Sequence, residues 1–79
     1  MLRELLETIV KAIVDYPDEV IINENPTERR LIFELKVNKS DIGKVIGRGG
    51  KTIRAIRLLL NVAGAKEKQR AGLEIIEEN

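Results

Sequence analysis

The stretch Val45–Ile53, VIGRGGKTI, places three glycines within four positions, with Arg48 between them and Lys51 directly after. Gly47, Gly49 and Gly50 would each weaken a helix interior by about 1 kcal/mol relative to alanine. The stretch therefore reads as a break between two helices. The first is predicted over roughly residues 41–46, with Ser40 as N-cap, Asp41 at the positive end of the dipole and Gly47 in the usual left-handed C-terminal position. The second is predicted from about Lys51 to Ala63, with Gly64 as its stop. Its N-terminus offers unpaired backbone N–H groups beside glycines that carry no Cβ, and Arg48 and Lys51 add full charges. That combination is a site for an anion, and an extended phosphodiester backbone suits it.

A nucleoside triphosphate does not. The run GGKT ends like a Walker A loop, but that motif needs a glycine five residues before Gly50, where Val45 stands. It also needs a preceding strand, whereas the preceding segment reads as helix.

Outward from the loop, Leu2, Leu5, Leu6, Ile9, Val10 and Ile13 recur at the spacing of an amphipathic helix, which Pro17 stops by about Tyr16. Val20–Ile22 and the alternating Leu31, Phe33, Leu35 and Val37 read as strands of an antiparallel hairpin joined by NENPTER. LEII at 73–76 is a last strand. A strand joined to the next by a helical crossover lies parallel to it. The expected fold is α+β, in the order α-β-β-α-α-β. Its sheet is mixed and three-stranded, with three helices packed on one face. All 79 residues are expected to form one domain.

The net charge of +1 hides a division along the chain. Residues 1–38 carry five Lys/Arg against eight Asp/Glu, residues 39–70 carry nine against two, and residues 71–79 carry three acids alone. The positive charge is thus concentrated around the glycines, as an anionic partner requires. With no Cys and no His, thiolate and imidazole metal sites and Ser-His or Cys-His catalysis are excluded. No cofactor is expected. No apolar run approaches the ~20 residues of a membrane span, and Glu4 and Glu7 interrupt the apolar positions at the N-terminus, so a cytoplasmic setting is expected.

Val-Ile-Gly-Arg-Gly-Gly-Lys-Thr-Ile resembles the KH-domain signature V-I-G-x-x-G-x-x-I at every fixed position. With YPDEV before the first strand and LKV closing the second, the whole chain resembles the small bacterial single-KH proteins of the KhpA family, in the type II arrangement. The resemblance implies binding of single-stranded RNA and partnership with a larger KH protein of the KhpB type. Carried over, Gly47, Arg48, Gly49 and Gly50 are the backbone clamp. Physical reasoning adds Lys51 as a phosphate contact at the helix start. Ile46 and Ile53, with Ile42 and Val45, flank the loop as candidates for an apolar base groove or for core. Gly43 leaves room for a base beside the short helix. Arg54 and Arg57, with Asn61 on the same ridge, either extend the phosphate path or form the solvated face of the helix. Arg29 and Arg30 border the hairpin link.

Tyr16 and Phe33 are too few for a stacking platform of exposed rings, and Phe33 reads as core. On the second long helix, Ile53, Ile56, Leu60 and Ala63 form one apolar stripe. Ala55, Leu58, Val62 and Ala65 form another, with Leu59 between. Two stripes exceed the ~100° arc that one core buries. An interface around Leu58 and Val62 is expected, in a homodimer or in a heterodimer with a KhpB-type protein.

Overall fold

A computed structural model describes residues 1–77. It contains α1 (Leu2–Ile13), β1 (Ile21–Pro26), β2 (Leu31–Lys36), α2 (Ile42–Ile46), α3 (Lys51–Lys66) and β3 (Ala71–Ile75). Short 3-10 turns lie at Pro17–Glu19, Lys39–Asp41 and Arg48–Gly50. The sheet order is β1-β2-β3, with β1 antiparallel and β3 parallel to β2. Order, mixed pairing and helix count agree with the sequence.

Alternation along the strands makes one face of the sheet apolar. Ile22 lies opposite Leu35 and Phe33 opposite Leu73, and all four are buried. Onto this face pack Leu2, Leu6 and Val10 from α1, Val45 from α2, and Ile53, Ile56 and Leu60 from α3. The opposite face carries Glu34 and Glu74 in direct register and Ile21 exposed. The sandwich has two layers.

Several boundaries differ from the sequence reading. Gly64 does not stop α3, which runs on to Lys66. The glycine is needed for proximity instead: it is buried, its carbonyl accepts from Gln69 N at 2.8 Å, and a Cβ there would run into the Gln69 carbonyl. β1 extends through Pro26 and so takes in residues assigned to the turn, because pairing with β2 continues to Leu31. β3 begins two residues early, at Ala71, opposite Leu31. Ser40 is not the N-cap. α2 has Asp41 at its N-cap with no side-chain capping bond, and the Asn38 side chain caps the 3-10 turn before it, accepting from Ser40 N at 2.9 Å.

Asp41 was read only as a charge at a helix start. It is fully buried, and its carboxylate accepts from Asp15 N (3.0 Å) and Tyr16 N (3.1 Å) across 26 and 25 residues of chain. Those N–H groups lie just past α1, beyond Val14, whose own N–H closes the helix on Val10. One side chain thereby fixes the exit of α1 against the entry to α2. Each hydrogen bond to a charged acceptor is worth about 1.5–3 kcal/mol. Asp41→Ala should therefore lower unfolding stability by about 3 kcal/mol, and Asp41→Asn by less, since its one oxygen can serve only one donor well. Urea titration of both variants checks the ranking; an alanine variant as stable as the wild type would contradict it.

Candidate nucleic-acid interface

The corner between α2 and α3 is built by backbone that only glycine adopts readily. Gly47 has φ 77° and ψ 169°, Gly49 φ 63° and ψ 19°, and Gly50 φ 78° and ψ 15°. Gly49 and Gly50 are left-handed helical. Gly47 is not in the left-handed helical position predicted for it. Its positive φ is combined with an extended ψ, a region essentially closed to residues with a side chain. A Cβ at Gly47 would also collide with the Thr52 hydroxyl. At Gly49 the space is open.

Around this corner the cations divide into those engaged and those free. Lys44 pairs with Asp15 at 3.1 Å and lies 3.8 Å from Asp41. The hydrogen bond to Asp15 holds its ammonium above the usual lysine range. Arg54 Nη1 donates to the Gly49 carbonyl at 2.8 Å, bracing the loop from within α3. Arg57 Nε and Nη2 donate to the Leu73 carbonyl on β3 at 3.3 and 3.1 Å. Arg48 and Lys51 are exposed and have no ion pair or side-chain hydrogen bond among the described residues. The two cations flanking the glycines are therefore the ones left for an anion.

The apolar flank sorts in the same way. Val45 and Ile53 are buried in the core, while Ile42 and Ile46 are half-buried beside the loop. Ile53, expected among the RNA-contacting residues, lies instead in the core beneath the loop. Gly43 is exposed, with nothing within 4 Å of where a Cβ would stand. Phe33 is core, as read, and Tyr16 is exposed. Arg29 and Arg30 sit on the hairpin loop, beside Lys68 and Arg70 in the case of Arg29.

The KH-domain model of the KhpA/KhpB family matches residues 3–75. The chain belongs to that family. Among curated relatives, the RNA-binding protein KhpA of Clostridium acetobutylicum is 48% identical over 75 residues, covering 95% of this chain and all of the relative. The RNA-binding protein KhpA of Borreliella burgdorferi is 50% identical over 94% of this chain and 90% of its own length. That of Caldanaerobacter subterraneus subsp. tengcongensis is 51% identical, over 92% and 97%. These matches place the glycine corner inside a shared KH domain.

The geometry separates the glycines by role. Gly47→Ala must strain the backbone and displace Thr52, at a cost of about 2 kcal/mol or more. Gly49→Asp enters open space in a conformation Asp tolerates and should leave the melting temperature within a few degrees. Thermal unfolding of the pair checks the contrast; equal losses would refute it.

Proposed function

We propose that the chain binds single-stranded RNA without catalysing a reaction, gripping the phosphate backbone at Gly47, Arg48, Gly49 and Gly50. The carrying observation is the corner itself, where backbone free of Cβ atoms stands between two unpaired cations at the start of a sixteen-residue helix. Relatives covering nearly the whole chain are named RNA-binding proteins, which supports the reading. Lys51 adds a phosphate contact at the helix N-terminus, where N–H groups and dipole favour an anion. Ile42 and Ile46 offer apolar contact to bases, and Gly43 leaves a base room to approach α2. Arg54 contributes through the loop carbonyl it holds. KH modules hold about four nucleotides in this manner. A cytoplasmic location accords with such a partner, and no described helix is long and apolar enough to cross a membrane.

Replacing Arg48 and Gly49 together with Asp puts two negative charges where phosphates should lie, at positions with room for them. RNA binding measured by fluorescence anisotropy should be nearly abolished while circular dichroism stays native. For the wild type, three or four phosphate contacts predict a slope of about −2 to −3 in log K against log salt. Retained affinity in the folded variant would remove the loop from the site, and a flat salt response would remove RNA clamping altogether. Millimolar ATP should not compete, because it lacks an extended backbone.

A second reading rests on α3. Leu58 is 62% exposed, Val62 60% and Leu59 49%, while Ile56 and Leu60 on the other stripe are buried. α1 packs against α3 but leaves these side chains in solvent. A contiguous apolar stripe on so small a domain fits an interface with another KH domain, in a second copy of this chain or in a KhpB-type protein. Leu58→Glu should yield a folded monomer by light scattering where the wild type is dimeric. A wild type that stays monomeric at high micromolar concentration would rule out the homodimer.

A further inference from the structure

We infer that a groove on the outer side of the sheet, at its end below the start of α2, receives one further nucleotide of the RNA. The inference rests on the RNA-binding reading above. It adds a subsite that neither the glycine corner nor the open edge of β3 supplies.

The outer face of the sheet ends in a single row. Ile21 lies opposite Lys36, and Ile76 N donates to Leu35 O at 2.9 Å, which sets Ile76 beside Lys36. Strand alternation turns this row away from the core, on the side opposite Leu35. With Val37 and Ile42 the row lines a groove of about 450 Å³. That volume falls within the roughly 300–1,000 Å³ of sites that bind small molecules. Ile21 is 51% exposed, and Ile42 and Ile76 are half-buried. Val37 packs on the core, but these three isoleucines belong neither to the core nor to the side chains packed against it. Apolar side chains gathered where the fold does not use them mark a binding surface.

The rim is charged and braced. Glu19 lines it with both oxygens accepting from Asn38 Nδ2, at 3.1 and 3.0 Å. Asn38 Oδ1 accepts from Ser40 N and the Ser40 hydroxyl, at 2.9 and 2.8 Å. The turn Lys39–Asp41 is thus held at its start by Asn38 and at its end by the buried Asp41. Lys39, carried on that turn, is exposed and forms no ion pair or side-chain hydrogen bond among the described residues. Lys36 and Lys39 outnumber the one acid of the lining, so the groove favours an anion.

Ile42 decides which anion. It opens α2, and Gly47 directly follows that helix, about 7.5 Å further on at 1.5 Å per residue. A strand leaving the corner therefore enters the groove within one nucleotide. A nucleotide joins a flat apolar base to one phosphate, which the isoleucines and Lys39 match. The only amide in the lining, that of Asn38, is engaged, and no lining side chain carries a hydroxyl, so the subsite takes any base.

Fluorescence anisotropy with the full chain compares tetrauridine with hexauridine. A site of about four nucleotides has three placements on a hexamer, which by counting alone gives about threefold. The added subsite should raise the gain to about tenfold and steepen the slope of log K against log salt by about 0.7, one phosphate. Lys39→Gln should bind tetrauridine within about twofold of wild type and lose the added slope. Ile21→Thr, on a strand outside the clamp, should keep tetrauridine binding and the added slope, with the gain reduced to about threefold. Circular dichroism confirms that both variants are folded. If the wild type binds neither RNA, the RNA-binding reading itself falls. A threefold gain with no change of slope in the wild type overturns only the subsite. The subsite also falls if both variants keep the tenfold gain, or if they weaken the two RNAs equally.

Discussion

The rest of the structure depends on the chain reversing between α2 and α3 through a corner whose glycine backbone is bare of Cβ atoms. Three residues at positive φ accomplish the reversal, and the first, Gly47, also turns its α-hydrogen toward the Thr52 side chain where no methyl would fit. Without that turn α3 could not start at Lys51 with its N–H groups facing the corner. The same turn sets the direction of α3 along the sheet, and hence the side on which β3 joins β2. Local backbone permission and global topology are here a single constraint.

A second level of order comes from carboxylates and carbonyls that draw cations out of the basic segment. Nine Lys/Arg between residues 39 and 70 look interchangeable in a charge count. In the folded chain Lys44 is held by Asp15, Arg54 by the Gly49 carbonyl and Arg57 by the Leu73 carbonyl. The charge that remains beside the glycines is small, localised and aimed outward. This division explains how a domain of such modest net charge can present a focused positive charge at one corner. Asp41 belongs to the same economy: buried and acceptor-only, it supplies partners to the adjacent N–H groups of Asp15 and Tyr16 and so ties the exit of α1 to the entry of α2.

α3 serves three surfaces at once. Its buried stripe of Ile53, Ile56 and Leu60 closes the core, its first turn forms the corner with Arg54 bracing it, and its exposed Leu58 and Val62 remain free for another domain.

The order of elements, the glycine corner and the core face of α1 were legible in the sequence, because they follow from periodicity and from glycine's conformational freedom, which act over a few residues. The two-stripe character of α3 was legible for the same reason. The end of β1, the start of β3 and the role of Gly64 were not, since each is set by a partner strand or turn rather than by local propensity. Gly64 looked like a helix stop and is instead a point of close approach to Gln69. Nor could the sequence say that Ile53 would be buried while Ile46 stayed half-exposed, or that Arg57 would settle on a strand edge sixteen residues away. Sequence by itself determined which groups could bind a phosphate chain. Tertiary structure decided which of them are left free to do so, because hydrogen bonds between distant segments consume the rest.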